Sequence, residues 1–427
     1  MASKSDLSIV IDIGTSKIVA IAGEKNEYGK VEVLSVAKTA SKGIKRGVVY
    51  NIDETADAIQ KVISQLEEEL EIEVLSASVA YAGQHMKTID YKNSKYTSEE
   101  GIVTKFDVDH LYNEAKKIEL EQAYRIIQVI PTSFVIDREI TELNPVGITG
   151  REIVANYKLV VVPDAYVVNL ERVFKKIGIE LEDITLTTLA VSEAVITDEE
   201  KEMGAIMLDV GSGTTNLAIF YENMLIHSSV IPFGGNVITK DIKEGCSILL
   251  KWAELLKVKY GQALGDFADS QKYVTIPVHS NLEAKEISFK SLAFIIQARL
   301  EEIIDSVNIE IEKSGVADKL GAGIVLTGGT SNLNNFISLI KFRTGMDARI
   351  ANLVFNPVCK KEIAQDFNNY AAMGLLNLQL NKSEIPVKET RKRKKKRKEN
   401  SGFSLFDKVM QGALGLFEDD NEDMALN

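Results

Sequence analysis

The chain has 427 residues, 45% of them apolar and 26% charged, a composition that excludes disordered and collagen-like chains and leaves room for two or three core-bearing units. Only Cys246 and Cys359 are present, and His85, His110, His227 and His279 are scattered, which argues against a disulfide scaffold and a Cys/His zinc site. The net charge of -12 conceals its distribution, because residues 391–398 are eight consecutive bases and removing those eight charges leaves -20 on the remainder.

An acid lies within the first six residues and no run of about 18 uninterrupted apolar residues occurs, so an intracellular protein without signal peptide or spanning helix is expected. Strand-like runs at 7–12, 18–22 and 31–37 read as a meander around a Gly14-Thr15-Ser16 turn. A helix follows, with Asp53 as its expected N-cap and Ala56, Ile59, Val62, Ile63, Leu66 and Leu70 on one face. Residues 81–161 read as an inserted subdomain with a helix at 108–126 and extended segments at 127–136 and 157–162. The opening pattern then returns: Ile9-Val10-Ile11-Asp12-Ile13-Gly14-Thr15 aligns with Ile206-Met207-Leu208-Asp209-Val210-Gly211-Ser212, and strand-like runs at 217–220 and 224–232 come after it. The repeat predicts two related α/β lobes facing each other. Next come an amphipathic helix at 241–261 carrying Trp252, a long helix at 286–313, a strand at 323–327 ending on Gly328-Gly329, and a helix near 332–342. Globular patterning stops near Leu380, and 381–400 reads as a solvated linker.

A carboxylate that ends a strand before a Gly/Ser/Thr hairpin suits a nucleoside triphosphate. Glycine lets the backbone approach, hydroxyls and N–H groups donate to phosphate, and the carboxylate holds magnesium through water. The first turn offers Asp12, Gly14, Thr15, Ser16 and Lys17; the second offers Asp209, Gly211, Ser212, Gly213, Thr214 and Thr215. Either alone is equally well read as a structural hairpin, and their repetition is what favours nucleotide. A third turn, Gly328-Gly329-Thr330 before a helix, would set N–H groups near adenosine or its phosphates. No P-loop motif occurs.

At the far end Phe403, Phe406, Met410, Ala413, Leu414 and Phe417 share one helical face, flanked by Leu405, Val409 and Leu416, with Asp407, Lys408 and Gln411 opposite. Gly412 and Gly415 each cost about 1 kcal/mol against alanine, so this helix is expected to order on binding. At ~15 residues it suits a membrane interface and is too short to span one. The preceding Arg391, Lys392, Arg393, Lys394, Lys395, Lys396, Arg397 and Lys398 add up to about 1 kcal/mol each near an anionic leaflet. Docking of the helix on the protein's own body, and a nucleic-acid tail, are the other readings. No aromatic residue interleaves the bases, so no nucleic-acid partner is expected. The acidic tail 418–427 has no role in this scheme.

The segments IDIGTSK (11–17), LDVGSGTTN (208–216) and IVLTGGTSN (324–332) resemble the nucleotide motifs of the actin, heat-shock chaperone and sugar-kinase superfamily. VIPTSFVID (129–137), NPVGITGRE (144–152), VIPFGGNVITKDI (230–242) and AELLKVKYGQAL (253–264) narrow that resemblance to the bacterial cell-division family FtsA, from about residue 7 to 380 and again at the C-terminal end. The resemblance implies an actin-like two-lobed α/β fold built from duplicated ribonuclease-H-like domains. Residues 1–80, 162–196 and 357–380 would form subdomain 1A, and 81–161 the inserted subdomain 1C. Residues 197–240 with 306–356 would form 2A, and 241–305 would form 2B. A linker at 381–402, a membrane helix at 403–417 and an acidic tail would follow.

It further implies ATP in the cleft, Mg2+ on Asp12 and Asp209, and phosphates on Gly14 to Lys17 and Gly211 to Thr215. Glu254 and Lys257 would lie near the ribose and Gly328, Gly329 and Thr330 near the adenosine. Ser212 stands where many relatives have glycine, and Glu254 with Lys257 also reads as a solvated i, i+3 pair. Glu193 falls in the interdomain connection and is a candidate catalytic acid beside Asp12 and Asp209. Slow or negligible hydrolysis is expected, because no residue that orients water is identified. Expected partners are the tubulin-like protein FtsZ through 241–305, further copies of the chain, anionic lipids and other division proteins. A PilM-like adaptor and a small-molecule kinase are the alternatives, while a chaperone would need a substrate domain after residue 380.

Overall fold

The computed structural model describes residues 7–98, 100–120, 123–276 and 284–381. The basic run, the amphipathic segment 403–417 and the acidic tail lie outside the described residues. The first lobe opens with β1 (Ser8–Ile13), β2 (Lys17–Lys25) and β3 (Val31–Ala40), an antiparallel meander. The short pair β4 (Ile44–Lys45) and β5 (Val48–Val49) leads to α1 (Ile52–Leu70). Asn51, not Asp53, caps α1: its Oδ1 accepts the N–H groups of Asp53 (3.1 Å) and Glu54 (3.3 Å). Asp53 falls inside the first turn, where its charge favours the helix dipole. β6 (Ser76–Tyr81) runs parallel to β1.

The insert follows as β7 (Lys87–Tyr96), α2 (Lys105–Ala115), β8 (Tyr124–Ile136), β9 (Ile140–Glu142) and β10 (Glu152–Pro163), in a separate sheet of order β7-β10-β8-β9. The helix expected at 108–126 is therefore shorter. A Thr104/Asp107 capping box starts it at Lys105, and Ile126 sits in a long strand opposite Val161. Cross-strand pairing of this β-branched run outweighs its helical periodicity. After α3 (Asp164–Ile177), β11 (Glu180–Leu186) completes the first sheet beside β6.

Helices α4 (Thr187–Val195) and α5 (Asp198–Met203) carry the chain into the second lobe, where β12 (Ala205–Val210), β13 (Thr215–Tyr221) and β14 (Met224–Ile231) repeat the meander. The helix expected at 241–261 is two: α6 (Gly235–Gly245) and α7 (Leu250–Tyr260), parted where Ser247 adopts a left-handed φ of 48°. A hairpin of β15 (Tyr273–Ile276) and β16 (Lys285–Ser288) precedes α8 (Phe289–Lys313), so the long helix starts three residues later than its apolar pattern. β17 (Gly323–Thr327), α9 (Phe336–Thr344) and β18 (Ala348–Ile350) follow, and a one-turn helix at Gly329–Asn332 takes the place of the expected helix start at 332. α10 (Lys361–Gln365) and α11 (Tyr370–Asn381) end the described chain.

The sheets β11-β6-β1-β2-β3 and β18-β17-β12-β13-β14 have one plan: two parallel pairings followed by two antiparallel ones, so that only the fourth strand in each order runs against the rest. The chain crosses between lobes at α4 and returns at α11. Met373, Leu375 and Leu376 of α11 pack with Val10, Val19 and Ile21 of the first sheet, while Val191, Ala194 and Val195 of α4 pack with Met207 and Ala218 of the second. The two helices touch at Gly374, where a Cβ would overlap the Ala190 carbonyl oxygen. The floor of the cleft is thus a helix crossing tied to both sheets.

Candidate functional site

Each meander closes on the same turn. The Gly14 N–H donates to the Lys17 carbonyl at 3.0 Å, and the Gly211 N–H to the Thr214 carbonyl at 2.9 Å. Each turn follows a strand whose buried end carries Asp12 or Asp209. The turns meet across the cleft: a Cβ on Gly213 would lie 2.5 Å from Thr15 Oγ1, so only glycine permits the approach. Thr15 Oγ1 in turn accepts the Gly47 N–H at 3.0 Å. Ser212 is absent from the non-glycine residues with positive φ, so serine fits this turn without backbone strain.

The third turn closes the wall from the β17 side. Gly328 has φ 89°, and a Cβ there would overlap Asp209 Oδ1. Thr330 Oγ1 donates to the Gly211 carbonyl at 3.2 Å, which ties the third turn to the second. The start of α6 is bound to the same loop through Gly235 N–H to Gly211 O (2.9 Å) and Asn236 N–H to Ser212 O (2.7 Å). Lys257 is buried and is not a solvated partner of Glu254. Its amine donates to Gly235 O (3.0 Å), Thr239 Oγ1 (2.8 Å) and Glu254 Oε2 (2.8 Å), and so pins α7 to α6.

Burial dominates the electrostatics. It pushes the Asp12 carboxyl up to about 7, with Lys17 pulling down and Asp209 pushing up by smaller amounts. Asp209 is also raised by burial, against the pull of the Asn216 amide (Nδ2 to Oδ2, 2.9 Å) and of Lys17. Burial lowers Lys17, opposed by Asp12 and Asp209. Two more oxygens beside Asp209, Asn216 Oδ1 and Thr327 Oγ1, are buried with no hydrogen-bond partner. Among the described residues no cluster of three or more His, Cys, Asp or Glu occurs. Two carboxylates, one of them flanked by unpaired hard oxygens, fit a cation that keeps most of its water, as magnesium does, and do not fit zinc.

These groups line one cleft of about 320 Å³. It takes in Asp12, Gly14, Thr15, Ser16 and Lys17, then Asp209, Gly211, Ser212, Gly213 and Thr214, and also Glu254, Lys257, Gly328, Gly329 and Thr330. Thr215 stands behind the wall, fully buried, donating to the Phe233 carbonyl at 2.9 Å. Glu193 is not brought to the cleft. One oxygen accepts from Asn377 Nδ2 at 2.7 Å and the other lies 3.9 Å from Lys201 Nζ, so it joins α4 to α11 and the second lobe instead of serving chemistry. Sequence reasoning placed Thr327 at the head of the third turn, where it lines the cleft, and missed Asn216, Asn236 and Asn368, which line it too. Asn216 was within reach, as the residue that faces Asp209 once the two strands of the repeat pair; Asn368 had no local signal.

Two lobes of one topology, with duplicated turns facing across a cleft, define a protein of the actin-like class. The same fold is found in a PilM-PilN type IV pilus biogenesis complex (TM-score 0.61, 15% identity, 87% of this chain and 98% of that one). It is also found in MreB5 of Spiroplasma citri bound to ADP (TM-score 0.51, 16% identity, 87% and 96%). The family description "Cell division protein FtsA" matches residues 206–373, and "SHS2 domain inserted in FTSA" matches 83–161. The cell division protein FtsA of Pseudomonas aeruginosa is 32% identical over 340 residues, 80% of this chain and 81% of that one. That of Neisseria meningitidis serogroup B is 31% identical over 351 residues, with coverage of 81% and 84%. This chain belongs to the FtsA family of cell-division proteins.

Proposed function

We propose that the chain binds ATP with magnesium in this cleft, assembles with further copies of itself, and links FtsZ to the inner face of the cytoplasmic membrane at the division site. One observation carries the nucleotide reading: the same carboxylate-ended turn is built once in each lobe, and both open on one cleft. The N–H groups and hydroxyls of residues 14–16, 211–214 and 328–330, with the Lys17 amine, would hold phosphates and the adenosine end. Glu254 and Lys257 would flank the ribose. Asp12 and Asp209 would hold magnesium, which supplies charge neutralisation for the phosphates. The Asp12 proton leaves as the cation arrives, since only the carboxylate form is a ligand.

Glu193 is engaged elsewhere, and the remaining cleft acid outside the magnesium pair, Glu254, is held by Lys257 and Thr239, which supports slow hydrolysis. Membrane attachment rests on the basic run 391–398 and the apolar face of 403–417, and the FtsZ contact on residues 241–305. Self-assembly and recruitment of other division proteins rest on the family. The test has two readouts, magnesium-ATP titration and co-sedimentation with anionic liposomes, with and without FtsZ. The full chain and a form truncated before Arg391 should both bind nucleotide, and only the full chain should sediment and carry FtsZ down. Sedimentation of both forms alike would sink the anchor, and no magnesium-dependent titration by either would sink the cleft assignment.

A further inference from the structure

The cleft has a wall that none of the three glycine turns supplies. Between α10 and α11 the chain makes a single helical turn at Phe367–Asn369, and Phe367, Asn368 and Tyr370 face the cleft beside Lys17. The Lys17 amine donates to Asn368 Oδ1, across 351 positions of sequence. The turn is itself well built. Asp366 Oδ1 accepts the Asn368 N–H at 2.9 Å, Asp366 Oδ2 pairs with Lys38 at 2.5 Å, and Asn369 Nδ2 donates to the Ile363 carbonyl at 2.8 Å. Lys38 sits opposite Val19 on β3, so two side chains of one turn grip two lysines of the first sheet.

Lys17 is half-buried and its charge is partly desolvated, with Asp12, Asp209 and Asp366 as its countercharges. A neutral amide oxygen offers such an amine a hydrogen bond without countercharge, whereas a phosphate oxygen adds Coulombic attraction to the same bond. A phosphate entering the cleft therefore competes with Asn368 for the same amine. The loser of that competition is the head of α11, where Tyr370 and Ala371 pack with the second lobe, the following residues pack with the first, and Gly374 meets α4.

We propose that Asn368 is a positioning residue that holds Lys17 while the cleft lacks phosphate, and that handing Lys17 to a polyphosphate releases the 366–369 turn at the head of α11. The proposal rests on the nucleotide reading of the cleft. It makes the return crossing, and with it the point where the chain leaves the globular body, responsive to phosphate occupancy.

The test pairs two substitutions of opposite sign on the full-length chain. Asn368→Ala removes the competitor and should tighten magnesium-ATP binding roughly threefold to tenfold, whereas Asn368→Asp adds a charged competitor and should weaken it by about tenfold. A folding defect would weaken both. Hydrogen exchange supplies the second measurement. In the wild type, protection of amides 366–372 should fall on adding magnesium-ATP; in Asn368→Ala it should already be low and stay unchanged. An Asn368→Ala chain that melts like the wild type yet binds no tighter, or exchange unmoved while the wild type binds, would overturn the role of Asn368 and leave the cleft assignment intact. Failure of the wild type to bind magnesium-ATP would overturn both together.

Discussion

The two turns at the cleft share a backbone and differ in the company their carboxylates keep. Asp12 lies opposite Val19 on one side and Ala80 on the other, and Asp209 in the matching row lies between Asn216 and Thr327. One carboxylate therefore sits in an apolar strip, and the other among polar side chains, one of which donates to it directly. Burial dominates at Asp12, where Lys17 opposes it by charge but no neighbouring amide donates to the carboxylate, and the carboxyl rises to about 7. Duplication preserved the fold and the turn, and the halves diverged in the neighbours that set the charge.

The largest effects should come from removing either carboxylate. Asp12→Asn and Asp209→Asn should each lower magnesium-dependent ATP affinity by roughly a hundredfold or more in calorimetric titration. They should differ in pH behaviour. Wild-type affinity should rise as pH passes upward through about 7, because the cation competes with the Asp12 proton. Stability of the nucleotide-free protein runs the other way. A carboxyl whose folded pKa lies above its unfolded value contributes stability that is present below about 4 and lost as pH rises through about 7. Asp12→Asn should therefore melt higher than wild type near pH 8, by up to roughly 4 kcal/mol, and show no such gain near pH 4. Equal melting curves near pH 8 would mean that Asp12 is solvated in solution.

A smaller change should make the second turn electrically like the first. Asn216→Val places the first lobe's residue type beside Asp209 and removes the amide that holds its charge. ATP affinity near pH 7 should fall about tenfold and recover part of that loss near pH 9, as the freed carboxyl rises further. An unshifted pH profile would show that the Asn216 amide does not set the charge of Asp209.

How much of this was legible in the sequence follows the range of the interactions involved. The duplicated turns were readable because each is seven contiguous residues, and the two sheets followed from them. The true cap of α1, the split between α6 and α7 and the strand at Ile126 were not, since a side-chain cap, one left-handed residue and a cross-strand pairing each override a good periodic pattern. Lys17 announced itself as a phosphate ligand, but Asn368 stands 351 positions away and is a plain polar residue until the fold delivers it. Glu193 read as a candidate acid for the converse reason: its partners Asn377 and Lys201 arrive only with the helix crossing.

The smallest expected effect sharpens the comparison most finely. Ser212 stands between the two glycines of the second turn, and a strained φ there would make serine a burden. The backbone at 212 lies outside the positive-φ region, so the serine costs nothing to hold. Ser212→Gly should then add only unfolded-state freedom, destabilising by about 0.4–1 kcal/mol with ATP affinity changed less than twofold. A stabilising Ser212→Gly would reveal strain that this backbone does not contain. Serine is tolerated because the close approach falls one residue later, at Gly213 against Thr15, and that is where the turn has no alternative to glycine.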